Sequence, residues 1–344
     1  MATTPFSRCI MILLLLAILP LFPKAQEQIL PFENSHFDTI EGFSVHYRTW
    51  NGDLEKPAGK VFFVHGFAGS TICFRNLYDT LASLGYTVVA ADIPGAGYSS
   101  RSLDFNQSHS HRARFLWKLL DRIDDEGRYD HNDRNDRDDR DNRGNAGNDG
   151  NGGNDGNGSW ILVGHSMGGG AAEAMAILHP EQTKGLLLIA GTIFRKTNNM
   201  NRNTMFMMRQ KQVKNFMVSY ADRNLLTYKR FYKLLKSAYG RLPDSTEVMR
   251  YLIPLETEGS AEALINIYVN NREKERLDAR TLTEVPVMAI WGTKDKWVSL
   301  RTSRINFGVF PKFELVKIKG AGHMPMETHV QQFIPPFLEF LTGR

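Results

Sequence analysis

Cysteine is scarce in this chain of 344 residues, which excludes a disulfide-stapled fold. The two cysteines are Cys9, in an apolar segment near the N-terminus, and Cys73. If that segment is removed, Cys73 has no partner for an intrachain disulfide, and we expect a buried thiol that packs like a small apolar residue. No spacing of Cys and His is typical of a metal site. The sequence therefore predicts a fold that a hydrophobic core stabilises, without a structural metal.

A strong net charge and a membrane-spanning apolar run are also missing. The formal net charge is only +5, so nucleic-acid binding is not indicated. Arg8 precedes the short apolar run Ile10–Leu19, and prolines follow that run. Because a spanning helix needs about 20 apolar residues, this pattern favours a secretory signal peptide over residues 1–25, cleaved after Ala25. The sequence predicts a secreted or periplasmic protein, with an uncleaved membrane anchor as the alternative.

The tract Asp124–Gly158 has almost no apolar residues, since Asp, Asn, Gly and Arg make up most of it. Such a tract cannot offset the entropy cost of ordering, which predicts a disordered insertion over 124–158. Its GNDGNGGND segment resembles the glycine-rich repeats of calcium-binding β-rolls, but those repeats also need an apolar residue, which is absent here. The tract enters the strand Trp160–Val163 from its amino end, so we predict a dispensable loop far from residues that follow the strand.

Strand-like runs are separated by segments of helical periodicity. Phe43–Trp50 alternates apolar and polar residues, whereas the other runs are mostly apolar. The predicted strands are Phe43–Trp50, Lys60–Val64, Tyr86–Ala91, Trp160–Val163, Gly185–Ala190, Val285–Trp291 and Phe313–Ile318, and the predicted helices are Phe74–Leu84, His109–Ile123, Gly168–Leu178 and Val330–Leu341. This order predicts an α/β protein with a doubly wound, mostly parallel central sheet and helices on both faces. Ligands of such sheets bind at the carboxyl ends of the strands.

Residues 192–283 depart from this alternation because they contain no strand-like run. They include helical stretches at Lys211–Val218 and Leu225–Ala238, an excess of Lys and Arg over Asp and Glu, and several methionines between Met200 and Met217. We predict a helical cap over residues 192–283, inserted between a first core segment, 26–191, and a second, 284–344.

A serine between glycines follows the strand Trp160–Val163. The segment Gly164–Gly168 reads GHSMG, which matches G-x-S-x-G. A sharp strand-to-helix turn would force Ser166 into sparsely populated backbone space, and Gly164 and Gly168 would leave room for the close approach. The N-terminus of the next helix would favour negative charge developing there. The pattern predicts a nucleophilic Ser166, against the alternative of a plain glycine turn.

A serine hydroxyl needs a base, and His323 is the best-placed histidine. It lies in a glycine-rich loop, GAGHM, directly after the last predicted strand. Asp295 follows the strand before that, where its carboxylate could orient the imidazole, although it would also suit a turn. The order Ser166, Asp295, His323 is the order that this architecture uses.

An oxyanion requires two N–H donors. We predict that one is the backbone N–H of Met167, the residue after the nucleophile, and that the other is the N–H of Phe67 in the HGFAGS loop after Val61–Val64. Gly66 permits the tight turn of this loop. We interpret His65 as a structural residue that holds the loop, and a second base as the alternative.

The motifs HGFAGS, DIPGAGYSS, GHSMGG, WGTKD and GAGH occur in this order. Together they resemble the α/β-hydrolase superfamily, in its cap-bearing branch of esterases, lipases and C–C hydrolases. This resemblance implies Ser166 as the nucleophile, His323 as the base and Asp295 as the acid. Dehalogenases and epoxide hydrolases of the superfamily carry Asp at the nucleophile position, so the serine argues against both activities.

We therefore expect a serine hydrolase that cleaves small, apolar carboxylic esters and needs no cofactor or metal. Acyl transfer and C–C bond hydrolysis with the same triad are alternatives, and a non-catalytic binding protein of the same fold is a further one. The basic surplus of the cap would favour anionic substrates or a weak contact with a membrane surface, unless it is merely a solvated helical face.

Overall fold

Eight strands of the described chain form one sheet. Their bounds are β1 Ser35–Ile40, β2 Phe43–Trp50, β3 Gly59–Val64, β4 Tyr86–Ala91, β5 Trp160–His165, β6 Thr183–Ile189, β7 Val287–Gly292 and β8 Phe313–Ile318. The strand order is β1-β2-β4-β3-β5-β6-β7-β8. Strands β3 to β8 pair in parallel, whereas β1 and β2 pair antiparallel to each other and β2 pairs antiparallel to β4. The predicted doubly wound, mostly parallel α/β sheet is confirmed.

The computed structural model describes residues 31–129, 158–191, 206–208, 210–270 and 273–343. The sheet and the helices belong to the unit Asn34–Arg344. The predicted signal peptide, residues 1–25, lies outside the described residues, as do residues 130–157 of the predicted disordered tract and residues 192–205 of the predicted cap. None of the helices in the described ranges is both long enough and apolar enough to span a membrane.

The two faces of the sheet bury separate hydrophobic layers because strand side chains alternate in direction. Val61 and Phe63 of β3 pack into one layer, while Phe62 and Val64 pack into the other, and all four are almost fully buried. Covering helices on both faces explain why these strands are apolar throughout rather than alternating.

Helices cover both faces and also follow β6. Their bounds are α1 Arg75–Ser83, α2 His109–Tyr129, α3 Met167–Leu178, α4 Lys211–Asn224, α5 Tyr228–Tyr239, α6 Ser245–Leu252, α7 Ser260–Val269, α8 Leu300–Phe307, α9 Pro325–Thr328 and α10 Val330–Thr342. Helices α4 to α7 lie in the chain between β6 and β7, and we call them the insertion helices. Helix α6 begins with a capping box in which Asp244 and Glu247 satisfy each other's backbone N–H groups.

Two elements differ from the expectations of the sequence. Strand β1 was not predicted, because its sequence SHFDTI is short, polar and only partly buried, and it is a strand through its antiparallel pairing with β2. Helix α2 runs to Tyr129, so the predicted disordered tract begins too early. Asp124 holds this end of the helix by accepting hydrogen bonds from Lys60 Nζ at 2.8 Å and Trp160 Nε1 at 3.3 Å.

The register of the parallel strands brings together the loops that follow β3, β4 and β5. Val64 of β3 pairs with Ala91 of β4 on one side and with Gly164 of β5 on the other. The residues directly after these strands therefore leave the sheet at the same carboxyl edge.

Candidate active site

Ser166 occupies the sharp turn between β5 and α3. Its backbone has φ 51° and ψ −122°, a conformation that non-glycine residues rarely adopt. The turn is held by hydrogen bonds from Ser166 N–H to the Ile189 carbonyl at 3.0 Å and from Gly169 N–H to the Ser166 carbonyl at 2.9 Å. A strained backbone that neighbouring bonds enforce is common at catalytic residues.

The flanking glycines are required because backbone atoms approach them closely. A Cβ atom on Gly164 would lie 2.6 Å from the Gly168 carbonyl oxygen, and one on Gly168 would lie 2.3 Å from the Val64 carbonyl oxygen. Either side chain would push β5, α3 and β3 apart, so both positions accept only glycine without a backbone shift.

His323 is buried and hydrogen-bonded to the carboxylate of Asp295. The distance from His323 Nδ1 to Asp295 Oδ2 is 2.8 Å. The other oxygen, Oδ1, accepts hydrogen bonds from the backbone N–H groups of Trp297 at 2.8 Å and Val298 at 3.0 Å. A carboxylate so occupied fixes the Nδ1–H tautomer of the histidine and leaves Nε2 free to accept a proton.

Three further groups hold His323 in place, and none of them was predicted from the sequence. The indole of Trp297 stacks on the imidazole, with ring centroids 5.4 Å apart. The His323 N–H donates to the Ala238 carbonyl of α5 at 2.7 Å, and His165 Nε2 donates to the His323 carbonyl at 3.1 Å. Burial and the nearby His323 lower the pKa of His165, which keeps its imidazole neutral. The position of His165 inside the G-x-S-x-G pattern was the one available signal.

The loop after β3 lies against the serine turn. Phe67 and Met167, the predicted oxyanion donors, line the same cavity as Ser166. Both ring nitrogens of His65 bond to backbone: Nδ1 donates to the Gly66 carbonyl at 2.8 Å, and Nε2 accepts from the Ile93 N–H at 3.0 Å. Burial lowers the pKa of His65, so the imidazole is neutral and ties this loop to the residue after Asp92.

Asp92, the residue after β4, helps to hold the loop that follows β3. This buried carboxylate accepts hydrogen bonds from His46 Nδ1 at 2.7 Å, Thr71 N–H at 2.6 Å and Tyr98 N–H at 2.9 Å. Burial, the largest single effect, would raise the pKa of Asp92, but the hydrogen bonds from His46 and Tyr98 and the neighbouring imidazoles together lower it. His46 was not predicted to have a role, because its partner Asp92 follows β4 and is 46 residues away in the chain.

Ser166 and His323 open onto one cavity of about 450 Å³. The insertion helices contribute its apolar wall, which consists of Phe231, Leu234, Leu235, Ala238, Tyr251 and Ile267. The methionines between Met200 and Met217 are another source of apolar side chains in this part of the chain. Among the described ones, Met207 is exposed and none of them lines the cavity, because α5, α6 and α7 occupy that position instead.

A buried carboxylate joins the insertion helices to the loop of His323. Glu327, four residues after the histidine, accepts hydrogen bonds from Arg75, from Tyr239 at 2.8 Å and from Tyr251. Burial and Glu327 together raise the pKa of both tyrosines, so each hydroxyl stays protonated and donates. Tyr251 also contacts the thiol of Cys73, whose pKa burial raises to about 12. This thiol is therefore protonated at neutral pH.

The described side chains offer no metal ligand set, since no group of three or more His, Cys, Asp or Glu residues in the described ranges has a metal-binding arrangement. The residues around the cavity can instead support proton transfer between a serine hydroxyl, an imidazole and a carboxylate.

Known proteins resemble this chain along most of its length. The dihydrolipoyllysine-residue acetyltransferase component of the acetoin cleaving system of Cupriavidus necator is 25% identical over 302 residues, which are 86% of this chain and 66% of that protein. The 2-hydroxy-6-oxononadienedioate/2-hydroxy-6-oxononatrienedioate hydrolase of Paraburkholderia phymatum is 23% identical over 319 residues, which are 90% of this chain and 95% of that protein. Among solved structures, a serine hydrolase involved in carbazole degradation superposes with a TM-score of 0.64 at 18% identity, covering 90% of this chain and 99% of that one.

The family profile described as alpha/beta hydrolase matches residues 61–335, which include Ser166, Asp295 and His323. The solved structure, at below 25% identity, supports the fold alone. The profile spans most of the chain, and the chain therefore belongs to the alpha/beta hydrolase family.

Proposed function

We propose that the protein is a serine hydrolase that cleaves carboxylic esters through an acyl-enzyme on Ser166. The observation that carries the proposal is the arrangement of His323, which is bonded to Asp295 and shares a cavity with a serine in a strained turn. Membership of the hydrolase family adds to this argument.

In the first step, Ser166 Oγ attacks the carbonyl carbon while His323 Nε2 takes the hydroxyl proton. The tetrahedral oxyanion accepts hydrogen bonds from the N–H groups of Phe67 and Met167. Collapse of this intermediate breaks the bond to the alcohol oxygen, and His323 gives its proton to that oxygen. The charge of Asp295 stabilises the imidazolium in both transition states.

In the second step, water attacks the acyl-enzyme. His323 takes one proton from the water and then returns it to Ser166 Oγ, which releases the carboxylic acid and restores the enzyme. We propose that the acyl chain of the substrate binds against the apolar wall that the insertion helices form. In this proposal the insertion helices serve as a cap over the active site. The wall contains Phe231, Leu235 and Ile267, and a pocket so lined favours apolar acyl groups.

A fluorophosphonate probe tests the nucleophile directly. We expect the probe to label the wild-type protein and to leave Ser166→Ala unlabelled, while both proteins melt at similar temperatures. Ser159→Ala, which alters a half-buried serine bonded to the Glu181 carbonyl at the amino end of β5, is the matched control and should label like wild type. Folded wild-type protein that resists labelling would contradict the proposal.

A panel of p-nitrophenyl esters with graded acyl length tests the reaction and the pocket. We expect kcat/KM to rise with acyl length until the chain fills the cavity and then to fall. Adding acceptor alcohols during turnover separates hydrolysis from acyl transfer. If the ester of the added alcohol forms in preference to the free acid, the protein is a transferase.

Hydrolysis of a carbon–carbon bond is a second candidate, and the relative from Paraburkholderia phymatum favours it because that protein bears the name of a 2-hydroxy-6-oxononadienedioate hydrolase. The same serine and histidine could act on such a ketone. Turnover of that dienedioate with a higher kcat/KM than any ester of the panel would establish this activity in place of ester hydrolysis.

A further inference from the structure

The outer face of α5 carries a stripe of lysines. Lys229, Lys233 and Lys236 are exposed and spaced i, i+4 and i+7, which puts them on one side of the helix. Phe231 and Leu235 lie on the opposite, buried side. Like charges at this spacing repel one another, so the stripe lowers the stability of the helix unless an anion neutralises it.

Lys233 and Lys236 of this stripe form one wall of a shallow cleft of about 730 Å³. The residues that line it are Lys233, Lys236, Ser237, Gly240, Arg241, Leu242, Lys294 and Lys296. Arg241 is paired with Glu247, whereas no carboxylate of the described chain forms an ion pair with the four lysines. Asp295 lies between two of them in sequence, but its carboxylate bonds to His323. The cleft thus holds a concentrated, uncompensated positive charge.

The cleft borders the opening of the active-site cavity. Trp297 Nε1 donates to Ser237 Oγ at 3.0 Å, and this hydrogen bond joins the loop that carries Asp295 to α5. Leu234 and Trp297 line the cavity and are 36% and 41% exposed, so the cavity reaches solvent beside them. Leu242, which lines the cleft, is 60% exposed. Exposed apolar side chains therefore stand next to the lysines.

We propose that this lysine cleft binds the phosphate groups of an anionic lipid surface and so turns the opening of the cavity toward the membrane. Lysines attract anionic headgroups, and neighbouring apolar side chains enter the interfacial region, which a soluble anion would not require. The proposal deepens the proposed function, on which it rests, by naming lipid esters held in a membrane as the substrate class.

Vesicle binding tests this surface without depending on catalysis. The full-length protein carries Ser166→Ala, so that it cannot consume lipid, and is sedimented with vesicles of phosphatidylcholine alone or of two parts phosphatidylcholine to one part phosphatidylglycerol. We expect binding to the anionic vesicles only, weakening as salt rises from about 0.05 M to about 0.5 M.

A triple variant, Lys233→Gln, Lys236→Gln and Lys296→Gln, should bind the anionic vesicles about 100-fold more weakly, because each lysine near an anionic surface strengthens partitioning about fivefold. The matched control, Lys56→Gln, Lys184→Gln and Lys312→Gln, removes three exposed lysines at the amino edge of the sheet. Lys56 and Lys312 precede β3 and β8, and Lys184 is the second residue of β6. It should bind like the parent protein. Circular dichroism melts establish that each variant is folded.

Three results would overturn the proposal. Equal binding to both kinds of vesicle would show that charge does not direct the contact. Equal loss in the two triple variants would reveal a general effect of net charge. Single-stranded RNA that binds as tightly as the anionic vesicles would identify a surface for polyanions rather than for lipid. The proposed function fails separately, through the probe assay at Ser166.

Discussion

Replacing Glu327 by glutamine should destabilise the protein by about 3 kcal/mol, because this carboxylate is the shared acceptor of Arg75, Tyr239 and Tyr251. Although burial alone would lower the pKa of Arg75, the Glu327 carboxylate raises it, which identifies a strong charge interaction between the two side chains. Removing one partner of a buried ion pair costs about 3–5 kcal/mol. Arg75 is partly exposed, so the lower end of this range applies.

Thermal melts followed by circular dichroism measure the loss. For a domain of this size, about 1 kcal/mol shifts the Tm by about 2–3 °C, so Glu327→Gln should lower the Tm by about 6–9 °C. Tyr239→Phe removes one hydrogen bond to a charged group and should cost about 1.5–3 kcal/mol. The matched control is Glu55→Gln, an exposed glutamate without an ion pair among the described residues, which should change stability by less than about 0.5 kcal/mol.

The double variant Glu327→Gln with Tyr239→Phe tests whether the two side chains are coupled. Tyr239→Phe removes the hydrogen bond between these two side chains, and Glu327→Gln removes the charge that strengthens it. Their combined effect should therefore be smaller than the sum of the single effects by at least about 0.5 kcal/mol. Additive effects, or an unchanged Tm in Glu327→Gln, would refute the view that this carboxylate joins the insertion helices to the loop of His323.

Three other changes give separate tests. Asp295→Asn should lower kcat on esters by about 10³–10⁴-fold with little change in KM, because the amide no longer fixes the tautomer or stabilises the imidazolium; a loss below tenfold in steady-state assays would contradict this role. Burial lowers the pKa of His109 to about 3. The unfolded state then takes up a proton at higher pH than the folded state, so stability should be full above about pH 6.5 and decline as the pH falls toward 3. The decline, followed as Tm against pH, should be shallower in His109→Phe, and equal slopes would contradict the assignment. Replacing residues 130–157 by a short Gly-Ser linker should leave kcat on esters within about twofold, because the described ends of this tract lie at the amino edge of β5, about 20 Å from Ser166; a large loss of kcat in a folded variant would disprove the separation.

The sequence predicted most elements of the core because its strands are apolar runs bounded by glycine or polar residues. The predicted strand Tyr86–Ala91, for example, coincides with β4 and is buried throughout. Helices α6 and α7 lie within the predicted helical cap, but their bounds were not predicted, and neither α8 nor β1 was predicted at all. These elements are short, and they obtain their stability from tertiary contacts that a local pattern does not record.

The candidate site also contains some residues that the sequence predicted and others that it did not. Glycine spacing and strand order suggested Ser166, Asp295 and His323, since a serine turn and two loops at the carboxyl edge must meet when the strands are parallel. The stacked indole of Trp297, the carbonyl of Ala238 and the carboxylate of Glu327 were not foreseen. Each reaches its partner across a change of element or over a long stretch of chain.

The sequence by itself determined the doubly wound sheet and the residue types available at its carboxyl edge, because periodicity and glycine placement are local properties. Only the tertiary structure decided which helices close the cavity, how Glu327 joins Tyr239 and Tyr251, and how Lys233 of α5 comes to share a cleft with Lys294 and Lys296. These contacts depend on the packing of segments far apart in the chain, and composition does not encode the distance between them.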